Sequence, residues 1–197
     1  MKVTFLTVLL SLATFTSLAG QHALTPETMP QPLVPDARCQ ITSSTTDLDY
    51  GAKSRWEMQD ISDRSQSVTL GKRRVSLSVV CPYTHNMSIK VMGDRNVHGG
   101  FRYGESGEVQ VRIVQAQLDG LDVQVGLSMP SGSLVGSPKD SLALLPEQTF
   151  SAVRGNQAVQ GKAFIVLLEI QPVLTDTGAR VSSRQTNTSN ISFELVD

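Results

Sequence analysis

The chain is poor in the residues that do chemistry. Histidine occurs three times, as His22, His85 and His98, the first in a proline-rich stretch and the other two among turn formers. No His-Glu-x-x-His, no Cys-x-x-Cys and no carboxylates at ligand spacing occur, which excludes the common zinc motifs. No Gly-x-Ser-x-Gly elbow marks a nucleophile, and the tripeptide Ser131-Gly132-Ser133 reads as a turn. Asp47 and Asp49 fall at a strand end and are read as turn formers. An enzyme is therefore not expected, and neither is a cofactor. Aromatics make up 5% of the residues, too few for a base-stacking platform. The formal net charge is −1, and the cluster Lys72-Arg73-Arg74 is too short to be a nucleic-acid footprint. Beyond residue 20 no apolar stretch approaches the ~20 residues that span a bilayer, so no stable membrane insertion is expected.

What is present begins with MKVTFLTVLLSLATFTSLAG. Lys2 precedes an uncharged, mostly apolar run that ends in the small residues Ser17, Ala19 and Gly20. That is the order of a secretory signal peptide, residues 1–19, with cleavage after Ala19. Export places the two cysteines, Cys39 and Cys81, in an oxidising compartment, where they read as one disulfide. Closing a loop of about forty residues restricts the unfolded chain by roughly 4 kcal/mol. Three Asn-x-Ser sequons, at Asn86, Asn187 and Asn190, matter only in a eukaryotic host.

Period-two alternation dominates the rest. Residues 20–38 form an arm with Pro26, Pro30, Pro32 and Pro35, which remove ladder donors. A strand is expected over Cys39 to Leu48, and another from Ser67 to Cys81, interrupted at Gly71. Within it, Val75, Leu77, Val79 and Cys81 share a face. Met87, Ile89 and Val91 alternate, as do Val109, Val111 and Ile113, and Leu121 to Leu127 after the turn Asp119-Gly120. Gly93 to Gly107 reads as turns with room for a short ribbon, and Ser128 to Glu147 as a loop with one helical turn at Ser141 to Leu145. Phe150 to Val153 is a short strand, Lys162 to Val173 a central one, and Asp176-Thr177-Gly178 a turn. In NISFELVD, Ile191, Phe193 and Leu195 face one way and Ser192 and Glu194 the other. Short strands with turns between them predict an all-β sandwich over residues 39–197.

Three stretches together resemble the subunits of chaperone–usher fimbriae (pili) of Gram-negative bacteria: "ARCQITSSTTDLDYG", "RRVSLSVVCPYT" with "MSIKVMGD", and the closing "NISFELVD". The resemblance implies an incomplete immunoglobulin-like sandwich of pilin type, with one disulfide and its last strand missing. Ile191, Phe193 and Leu195 would then line the acceptor groove and form the chaperone-binding strand. A periplasmic chaperone lends a strand to that groove, an outer-membrane usher exports the subunit, and the arm of a neighbouring fimbrial subunit replaces the loan. The arm here offers Leu24, Met29 and Leu33 as donor residues without steady alternation. The chain also departs from the family in having Val196 where a penultimate tyrosine is common, and Arg184 where a glycine is common. A minor or tip subunit that accepts a strand is thus implied, carried through the periplasm to the cell surface and attaching there to a host receptor. The alternative is a self-contained secreted β-sandwich that binds a ligand or carbohydrate. A strand that stops one residue before Asp197 favours the acceptor.

Overall fold

A computed structural model describes residues 38–61, 66–129 and 131–196. The expected signal segment and the arm residues Leu24, Met29 and Leu33 lie outside them.

The chain opens with β1 (Gln40–Ser43), a 3₁₀ turn (Arg55–Glu57), β2 (Gln59–Asp60) and β3 (Ser67–Thr69). β4 (Arg73–Asn86), β5 (Ser88–Gly93), β6 (Phe101–Tyr103) and β7 (Gly107–Leu118) follow. After β8 (Leu121–Asp122) come β9 (Gln124–Ser128), β10 (Leu134–Lys139), β11 (Leu142–Leu144), β12 (Thr149–Arg154) and β13 (Gln157–Ala158). The long β14 (Gln160–Thr175), the single helical turn α1 (Asp176–Ala179) and β15 (Ile191–Leu195) complete the order.

Two sheets result. In the first, β14 lies centrally, antiparallel to β7 on one side and to β4 and then β3 on the other. β1 and β2 extend that side by pairing with β4 and β3. β3 and β4 therefore act as one strand broken at Gly71, whose φ of 102° is open to glycine alone without strain. The second sheet runs β10-β9-β12-β5-β15, with β13 on the end of β12. The molecule is an all-β, immunoglobulin-like sandwich with one disulfide, Cys39–Cys81.

Alternation decides which side chains meet between the sheets. Val75, Leu77, Val79 and Cys81 of β4 are buried, as are Phe164, Val166 and Leu168 of β14 and Ile89 and Val91 of β5. Phe150 and Phe164 join the layers with ring centroids 6.5 Å apart. Asp119-Gly120 turns β7 into β8 with φ of 51° and 80°. The Asp119 carboxylate accepts from the backbone N–H groups of Lys162 and Ala163 at 2.9 and 2.8 Å, which ties that turn to β14.

Several expectations need correction. The first strand stops at Ser43 rather than Leu48, because local hydroxyl bonds take over the backbone. Ser43 Oγ donates to the Thr45 carbonyl, and Thr45 Oγ1 donates to that of Asp47. Ser141 to Leu145 holds no helical turn; Leu142 and Leu144 point inward from β11, which pairs with β7. β10 also lies where a loop is expected. His85 belongs to the extended end of β4 rather than a turn. The turn at Asp176 is helical because Thr175 caps it, its Oγ1 accepting from Gly178 N–H at 3.0 Å.

Candidate functional site

β15 pairs with β5 in register Ile191↔Gly93, Phe193↔Val91 and Leu195↔Ile89. No strand among the described residues pairs with its other edge. β1 is the matching edge of the first sheet and, among the described residues, pairs with β4 alone. Among the described residues the two sheets thus each end in a short strand with no partner on its outer edge, on the same side of the sandwich, a ready template for another strand.

Between these edges runs a cleft of about 1340 Å³. Its floor is the inner face of the first sheet: Val75 and Leu77 of β4, Leu168 and Ile170 of β14, and Val109 of β7. Ile41 of β1 lies on one wall, and Ile191 and Phe193 of β15 on the other. Ile41, Leu48, Tyr103, Ile170, Ile191, Phe193 and Leu195 all pack on the core yet stay only partly buried. Of these, Ile41, Leu48, Tyr103, Ile170, Ile191 and Phe193 line the cleft together, so this is where apolar surface on the core is left half-covered side by side.

Residues 45–53 and 181–190 flank the cleft beyond the ends of the two edge strands. Tyr50 holds the first of these in place. Its hydroxyl donates to the Ile170 carbonyl at 2.9 Å, and the Arg73 guanidinium lies 5.2 Å from its ring centroid. Burial pushes the Tyr50 phenol up to about 12, against the lowering influence of Arg73 and with a smaller push from Tyr103. Tyr103 is raised as well, first by burial and then by the negative charge of Asp49. At neutral pH both phenols stay protonated and can donate.

The structure places the sequence-predicted residues unevenly. Ile191, Phe193 and Leu195 share the inward face of β15, but only the first two line the cleft. Leu195 packs on the core opposite Ile89 of β5. Sequence reasoning missed Leu48, Tyr50, Tyr103 and Ile170. A tyrosine two residues beyond an aliphatic one in "DLDYG" carries that signal weakly, since both must point inward from an irregular segment. Among the described residues no group of three His, Cys, Asp or Glu side chains is placed to hold a metal ion.

The sequence is similar to the uncharacterized protein YhcE of Escherichia coli (strain K12), 23% identical over 146 residues that cover 72% of this chain and 80% of that protein. No protein-family model matches the chain.

Proposed function

We propose that this protein is a structural and adhesive subunit of a chaperone–usher fimbrium, and that the cleft between β1 and β15 accepts a β-strand from another polypeptide. One observation carries the reading: the half-buried row Ile191 and Phe193 faces Ile41 across an apolar floor, with a strand edge on either side that no described strand pairs. A strand inserted there would satisfy both edges and cover the exposed part of the core, which is the strand-addition mode of recognition. A periplasmic chaperone supplies that strand before assembly and a neighbouring subunit afterwards, while the outer-membrane usher exports the product to the cell surface. A minor or tip position, in contact with a host receptor, follows from an arm poor in donor residues. The work is assembly and attachment, without catalysis.

The test is a variant carrying a strand in cis. Seven residues alternating Val with Thr are appended after Asp197 through an Asp-Gly turn, and the mature chain is expressed in a periplasm with and without them. The unmodified chain is expected to aggregate or to unfold at low guanidinium, and the variant to run as a monomer with a cooperative transition at a clearly higher midpoint. Equal midpoints, with both chains monomeric, would overturn the proposal and leave the self-contained binding domain.

A further inference from the structure

The second sheet buries three serines on the face turned away from the core. Ser88 opens β5 between Met87 and Ile89, which both point into the core, so its own side chain stands on the outer face. Ser151 of β12 lies opposite Ser88 in the ladder, and Ser128 of β9 lies opposite Thr149 in the same strand. Outward serines are ordinarily wet, yet Ser88, Ser128 and Ser151 are only 8%, 7% and 1% exposed. Their hydroxyls form a chain, with Ser151 Oγ 2.8 Å from Ser88 Oγ and 2.8 Å from Ser128 Oγ.

Each hydroxyl has one proton to give and lone pairs to receive with. The two bonds of the chain use two of its three protons, and among the described residues no further bond takes the third. Ser88 and Ser151 line a pocket of about 320 Å³. Depending on the direction of the two bonds, the spare proton lies on Ser88 or Ser151 at the pocket wall, or on Ser128 behind it, with Ser88 then offering lone pairs. Rotating the hydroxyls therefore turns this wall from donor to acceptor while every heavy atom stays in place. The facing wall is Ser131, Gly132 and Ser133, on a turn closed by the Met129 N–H donating to the Ser133 carbonyl at 2.8 Å. Ala158 and Val159 add an apolar margin. Among the described residues that line it there is no Asp, Glu, Lys, Arg or His.

We propose that this pocket is a binding site for a small neutral polyhydroxylated ligand, one sugar ring in size, held by the Ser88–Ser151–Ser128 chain. A charged ligand would sit there without a counter-charge, which is costly. A purely apolar one would leave the spare hydrogen-bonding capacity of a buried hydroxyl unmet. A sugar hydroxyl both donates and accepts, so it matches the wall in either direction of the chain. The volume lies at the low end of the roughly 300–1,000 Å³ usual for small-molecule sites, which fits one ring rather than several. The pocket and the strand-accepting cleft have no lining residue in common, so the inference stands apart from the reading above.

The experiment titrates the ¹⁵N-labelled mature chain, with and without the cis strand, and follows its amide signals. The probes are glucose, galactose, mannose and N-acetylglucosamine, with N-acetylneuraminate and inorganic phosphate as charged counterparts. At least one neutral sugar is expected to bind with a Kd of about 10 mM or tighter and to move the amides of Ser88, Ser131, Ser133 and Ser151. Ser88→Ala should weaken that binding by about tenfold or more, through loss of the hydroxyl that faces the pocket. Ala158→Phe should abolish it by filling the space, and because Ala158 is exposed this second variant reads the site even if Ser88→Ala fails to fold. No response to any neutral sugar at about 50 mM, a response confined to other amides, or binding that survives both substitutions would each overturn the proposal. So would a charged probe that binds at these residues as tightly as the neutral sugars. Affinity is expected to be the same with and without the cis strand, so failure of the strand-accepting cleft leaves this result to stand or fall by itself.

Discussion

At the scale of single residues, Tyr50 shows how one side chain shapes the cleft. Its ring is half-buried against the floor, its hydroxyl donates to Ile170, and its phenol titrates near 12. A raised phenol pKa means that the folded state holds its proton more tightly than the unfolded chain, whose tyrosine titrates near 10. The stability tied to Tyr50 is therefore complete below pH 10 and declines as pH rises from about 10 to about 12. Tyr50→Phe should cost about 0.5–1.5 kcal/mol at pH 7, the worth of the hydrogen bond, and should flatten that alkaline decline. Urea melts from pH 7 to 11 test both halves, and an unchanged alkaline slope in the variant would assign the decline to another group. At the acid end the sign reverses. Hydrogen bonds from Arg180 and Arg55 hold the Asp176 carboxyl below its ordinary 3.8, so its contribution is present above that pH and is lost as pH falls below it. Asp176→Asn should leave a shallower acid slope between about pH 4 and pH 2.

At the scale of elements, β15 differs from the strands it resembles in sequence. Its alternation matches that of β4 and β5, yet Ile191, Phe193 and Leu195 remain partly exposed where Val75, Leu77, Ile89 and Val91 are buried. Legibility in the sequence follows the same division. A strand with one buried face declares itself through period two, and β4, β5, β7, β14 and β15 do so. β11 offers only Leu142 and Leu144 about Ala143, too short to separate from a helical turn without its partner β7. The cleft was legible as the inward row of β15, but its floor was not, because Leu168 and Ile170 alternate with Glu169 and Gln171 as any core-facing residues of a central strand do, and nothing in the sequence says that an edge above them is open. The element-scale prediction compares two phenylalanines. Phe164→Ala removes a fully buried ring and should cost about 3–5 kcal/mol in any form of the protein. Phe193→Ser should cost clearly less in the unmodified chain, yet remove most of the gain that the cis strand brings. Guanidinium midpoints for both substitutions, with and without that strand, measure this. A Phe193→Ser loss as large as that of Phe164→Ala in the unmodified chain would mean that the wall of the cleft is already covered.

At the scale of the whole molecule, the disulfide and the open cleft are linked through β1. That strand has four residues and, among the described residues, one ladder partner and no other neighbour in its sheet. A ribbon so short is marginal by itself, and its anchor is the Cys39–Cys81 bond one residue before it begins. Cross-linking residues 42 apart stabilises the fold by about 4 kcal/mol in the chain-entropy account, so the double substitution Cys39→Ser with Cys81→Ser should cost about 2–5 kcal/mol. The more telling consequence concerns the inserted strand. A strand inserted as proposed would need two edges, β15 from one sheet and β1 from the other, and only β15 is held by a full five-residue ladder. Without the disulfide β1 frays, and the inserted strand meets one edge where it had two. The stabilisation brought by the cis strand should therefore be smaller in the serine variant than in the disulfide-bonded protein, a coupling of about 0.5–3 kcal/mol between sites that do not touch. Four guanidinium melts close the cycle: each cysteine state, with and without the strand. If the strand adds the same increment in both states, β1 needs no anchor, and the disulfide serves stability alone rather than the shape of the accepting edge.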